Sequence, residues 1–162
     1  MINRLEADQQ VFHFAQNVDV DKLETLICLE SLLAICYQAL EGMAHNQTAR
    51  KEYQQLEQQA QYHQDELKRD FLISQKIENS IESKVYKYLV LFKPPYLPLR
   101  AVINLAINLA SFKMDIYKHF LHTAQEQHGF LSGFLEDNVE EMSFLQKEKE
   151  FHQNRLNVYL KF

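Results

Sequence analysis

One stretch constrains the fold more than any other: Leu26-Ile-Cys-Leu-Glu-Ser-Leu-Leu-Ala-Ile-Cys-Tyr37. On a helix its apolar residues surround nearly the whole circumference, so the helix must be covered on most sides. Glu30 lies in its middle. An ionised carboxylate in a low-dielectric interior costs several kcal/mol unless a metal, a cation or hydrogen-bond donors meet it. Any fold for this chain therefore has to wrap the helix and also deliver a partner to Glu30. His63, Lys113, Lys149 and His152 lie on other predicted helices, at positions that can converge on it.

Long helices are the expectation for the rest of the chain. Three Gly and three Pro in 162 residues are too few for a turn-rich β fold. The length suits one domain with a substantial core. A net charge of -5 provides no basic footprint for nucleic acid. Cys28 and Cys36, two turns apart on one predicted helix, would be about 12 Å apart, beyond disulfide reach, and read as reduced core residues of a cytoplasmic protein. The first residues contain no continuous apolar stretch that would read as a secretory signal. The uncharged apolar run 101–112 is too short to span a bilayer.

Residues 1–20 read as an N-terminal arm anchored by Val11, Phe12 and Phe14, and 21–162 as the folded unit. Asp21-Lys-Leu-Glu24 has the capping-box pattern and opens a first helix that runs to about Gly42. A second helix, about 47–77, places Ala49, Tyr53, Leu56, Ala60, His63, Leu67 and Phe71 on one stripe and glutamines on the remainder. Residues 80–92 suit a short helix better than a lone strand, and Lys93-Pro-Pro-Tyr-Leu-Pro98 ends it. A third long helix starts near Leu99 and stops before Gly129. It carries Ala106, Leu109, Ala110, Lys113, Tyr117 and Phe120 on one face. A fourth, about 132–160, places Phe134, Leu145, Lys149, His152, Leu156 and Tyr159 together. Tyr62-His63-Gln64-x-x-Leu67 recurs as Phe151-His152-Gln153-x-x-Leu156, so the chain reads as a duplicated helix pair.

Two long helices, a crossover and two more long helices, with Glu30, His63 and His152 at ligand-like places, resemble the ferritin-like superfamily. That superfamily includes the rubrerythrins, the bacterioferritins and demethoxyubiquinone hydroxylase. The resemblance implies an all-α four-helix bundle with a long crossover, containing a short helix, between the second and third helices. It also implies a di-iron centre built from one Glu on each of helices 1 and 3 and a Glu-x-x-His on each of helices 2 and 4. Glu30, His63 and His152 match that pattern, as does Tyr37, seven residues after Glu30. Ala60, Ala110 and Lys149 replace three of the four carboxylates.

One carboxylate and two histidines do not balance two irons. The expectation is therefore a degenerate di-iron site, with a polar centre of Glu30, His63, Lys113, Lys149, His152, Tyr37 and Tyr117. A lysine there replaces the metal, no cofactor is bound, and the protein is a non-catalytic scaffold or interaction protein. The alternative is a non-haem oxidoreductase holding iron or manganese through Glu30, His63 and His152. A second alternative is a membrane-surface or lipid-binding module formed by residues 86–99, where aromatics alternate with Lys87 and Lys93. The apolar first helix suggests a homodimer. Asp115, His119 and His122 read as a solvated stripe, and Glu148 as an exposed partner of nearby lysines.

Overall fold

A computed structural model describes residues 20–124 and 129–160. The N-terminal arm lies outside them. The described chain is all-helical: α1 (Val20–Gly42), α2 (Gln47–Asp70), α3 (Gln75–Phe92), a 3-10 turn (Pro94–Tyr96), α4 (Leu99–Ala124) and α5 (Phe130–Leu160). Helix α1 is central, packing against α2, α3, α4 and the 3-10 turn, while α4 also packs against α5. By length and composition Asp21–Gly42 is apolar enough to cross a membrane, but most of it is buried within this bundle. Leu23, Leu26, Leu33 and Leu40 are fully buried, each contributing about 1.5–3 kcal/mol of transfer free energy.

Two core clusters fix the helix directions. At one end Leu23, Leu26 and Ile27 of α1 meet Leu67 of α2, Tyr117 and Phe120 of α4, and Leu131 and Phe134 of α5. At the other, Leu33, Tyr37 and Leu40 meet Ala49, Tyr53, Val102, Ala106 and Leu145. So α1 and α5 run one way and α2 and α4 the other, and α3 returns the chain from the first end to the second. The cover expected from another subunit over α1 is partly supplied by α3 of the same chain. The thiols of Cys28 and Cys36 are free, and burial pushes them up to about 11 and about 12.

The second helix ends earlier than its periodicity predicts. Phe71 caps α2, Leu72 takes a left-handed φ of 51°, and the Ser74 side chain accepts from the Ile77 amide to start α3. A serine N-cap contributes about 1 kcal/mol, enough to favour a fresh start over a continuous helix. A second tie to the new helix comes from α1. Glu24 is buried and accepts from Lys84 Nζ at 2.5 Å, tying α3 to α1. Asn46, with an extended backbone, caps α2 by accepting from the Ala49 amide at 2.8 Å, which fixes the short turn bearing His45.

Candidate functional site

Between the two core clusters, five ionisable or phenolic groups from α1, α2 and α4 meet Asn138 and Glu141 of α5. Glu30, His63, Lys113, Asn138 and Glu141 are each at most 2% exposed. Lys113 Nζ donates to Glu141 Oε2 at 2.6 Å and to Glu30 Oε2 at 3.3 Å, so one ammonium bridges two carboxylates. Tyr117 donates to Glu30 Oε1 at 2.7 Å. Tyr37 donates to Glu141 Oε1 through a short hydrogen bond. His63 Nδ1 lies 2.9 Å from Glu30 Oε1 and Nε2 lies 3.0 Å from Asp137 Oδ2 at the rim. A carboxylate only accepts, so both contacts are satisfied when both ring nitrogens bear protons. Asn138 Nδ2 reaches the Ala110 carbonyl at 3.3 Å, while its buried Oδ1 has no partner among the described residues.

The electrostatics keep the centre charged. Burial alone pushes the Glu30 carboxyl up, but the Lys113 charge and the His63 and Tyr117 donors outweigh it and leave its pKa below the ordinary value. Burial likewise disfavours the Lys113 ammonium. The Glu141 and Glu30 carboxylates overcome that and hold its pKa above the usual lysine value. Tyr37 and Tyr117 are pushed well up, first by burial and then by the carboxylates they serve, and stay protonated as donors.

Of the residues expected at this centre, the fold brings together Glu30, His63, Lys113, Tyr37 and Tyr117. It does not bring Lys149 or His152 there. Glu141 and His152 are separated by eleven residues, about 16 Å along α5, and Lys149 is exposed. The set Glu30, His63 and His152 is therefore not assembled, and the histidine motifs of α2 and α5 are not equivalent in space. The cause is the rotation of α5. Its buried positions are Leu131, Phe134, Asn138, Glu141, Leu145 and Glu148, a 3-4 spacing that places 148 inward in place of 149. The signal was present in the spacing. Asn138 and Glu141 are the two polar members of that otherwise apolar stripe before Glu148.

Phe134 closes the side of the centre nearest Asp137. Its ring stacks on His63 at 3.9 Å between centroids and meets Phe130 at 5.1 Å and Tyr117 edge-on at 6.0 Å.

His152 belongs to a second cluster at the other end of the bundle. His152 Nε2 is 3.4 Å from Glu148 Oε2, and His45 Nδ1, on the α1–α2 turn, is 3.6 Å from the same oxygen. Tyr53 donates to that oxygen at 3.3 Å. Phe151 stacks on His45 with centroids 4.4 Å apart, holding the ring in place. Glu148, expected to be an exposed partner of lysines, is instead buried. The chain matches no protein-family model, no curated protein and no solved structure.

Proposed function

We propose that this chain is a ferritin-like helical bundle in which the Lys113 ammonium takes the electrostatic place of a metal centre, and that it acts as a non-catalytic scaffold or interaction protein. The observation that carries this reading is Lys113 Nζ lying within hydrogen-bond distance of both Glu30 and Glu141 at the middle of the bundle. The helix directions and the α3 return give it further support. A di-iron pair does not fit these residues. Ala60 and Ala110 offer no oxygen ligand, Asn138 is turned to a backbone carbonyl, and a fixed cation already lies between the two carboxylates.

The test is an anaerobic titration with Fe2+ of the intact protein. The expected result is that no stoichiometric iron is held through Glu30. Two irons per chain, lost in Glu30→Ala, would sink the proposal.

A second reading is favoured by one specific surface. Tyr86, Tyr88, Leu91, Phe92 and Tyr96 are exposed. Of these, Tyr88, Leu91 and Phe92 line a groove of about 680 Å³ between α3 and α4 that Lys84 and Lys87 also line. Exposed apolar side chains beside lysines suit the interface of an anionic membrane. On this reading the protein floats with phosphatidylserine vesicles at low salt, and Leu91→Glu releases it. No flotation with the unaltered protein rejects it.

A further inference from the structure

We propose that His45, Glu148 and His152 form a divalent transition-metal site, of the zinc class, that ties the α1–α2 turn to α5. The site is separate from the Lys113 centre and does not depend on the reading of that centre. The three ligand atoms, one from each residue, lie within 4.8 Å of one another. Zinc holds nitrogen and oxygen ligands at about 2.0–2.1 Å in tetrahedral geometry, which places neighbouring ligand atoms about 3.3 Å apart. The 3.4 Å and 3.6 Å separations from Glu148 Oε2 are close to that edge. The His45–His152 edge is no longer than 4.8 Å.

An independent observation points to a missing ligand. His45 Nδ1 is buried from solvent and has no hydrogen-bond partner among the described residues, the Glu148 oxygen it faces being 3.6 Å away. Leaving such an atom unpaired is unfavourable, and an ion between it and the carboxylate would satisfy it. The wider surroundings resemble a built site. Glu148 and His152 are one turn apart on α5 and share its inward edge. Tyr53 supplies a hydrogen bond to the ligating carboxylate, as outer-shell partners of metal ligands do. The side chains of His45, Glu148 and His152 retain 17%, 10% and 10% exposure, which leaves an entry path and room for water as a fourth ligand.

Two imidazoles and one carboxylate select the metal. Imidazole suits Zn2+, Co2+ and Ni2+, whereas Mg2+ and Ca2+ take oxygen ligands. Arg100 and Lys149, which line a small pocket with His152, are both exposed and can hold their charged heads in water.

The test uses the full chain stripped with chelator. One equivalent of Zn2+ per chain should bind, and at a hundredfold excess over its Kd should raise Tm by at least about 5 °C, with no rise from Mg2+. Co2+ should give the intense visible absorption of four-coordinate cobalt. His45→Ala and Glu148→Gln should each lower Zn2+ affinity at least tenfold, while His122→Ala, on the exposed face of α4, should not change it. The apo Tm of each variant, measured alongside, separates lost metal from lost fold. Absence of Zn2+ binding, or binding that survives both His45→Ala and Glu148→Gln, overturns the assignment. A metal held at the Lys113 centre would behave differently, vanishing in Glu30→Gln and surviving His45→Ala.

Discussion

Lys113→Met should lose about 3–5 kcal/mol of stability, a fall in Tm on the order of 10 °C for a domain of this length. Methionine fills most of the volume but leaves the buried Glu30 and Glu141 carboxylates facing each other without their shared cation. The loss therefore comes from stranded charge and very little from packing. That distinction is measurable. The triple variant Glu30→Gln, Lys113→Met, Glu141→Gln carries no uncompensated buried charge between α1, α4 and α5, and should recover most of the deficit. Lys149→Met is the matched control. Lys149 is exposed, so its replacement should stay within about 0.5 kcal/mol. Chemical denaturation of the four proteins checks the series. Equal midpoints for Lys113→Met and the unaltered protein would reject the bridging role of Lys113.

Phe134→Ala should cost about 3–5 kcal/mol and should also change the chemistry of the centre. Phe134 is buried in the first core cluster and covers the His63 ring. Removing it opens a cavity beside a cluster of charged groups, where entering water has several polar partners. The His63 ring resonances should shift in NMR spectra, and its ring N–H protons should exchange with solvent faster. Phe134→Leu should retain most of the stability, within about 1.5 kcal/mol, because it keeps the site apolar and nearly filled. Unchanged His63 resonances in Phe134→Ala would show that the ring does not shield the centre.

Much of the fold was legible from local pattern. The stripe on α2, from Ala49 to Phe71, and the face of α4 bearing Ala106, Ala110, Lys113, Tyr117 and Phe120 are the buried faces of those helices. Helical period alone determines which residues share a face. The pairing of Glu30 with a lysine was legible for a similar reason. A buried carboxylate demands a cation, and Lys113 lies on the inward face of its helix. The break at Leu72 and Ser74 was less so, since periodicity continues across it and only the serine cap signals the new start.

The sequence by itself determined that α1 must be wrapped, that Glu30 must be compensated, and that His63 and Lys113 face inward. All of these follow from helical period and the free energy of burying charge. Only the tertiary structure decided that Glu141 and Asn138, and not Lys149, complete the centre, and that His152 joins His45 and Glu148 at the far end. Those outcomes depend on how far α5 is rotated and shifted along its axis relative to α1 and α4. That offset is set by the packing of Leu131, Phe134 and Leu145 into the two core clusters. A helix's own sequence defines its faces, but the neighbours it packs against select which one turns inward and at what height.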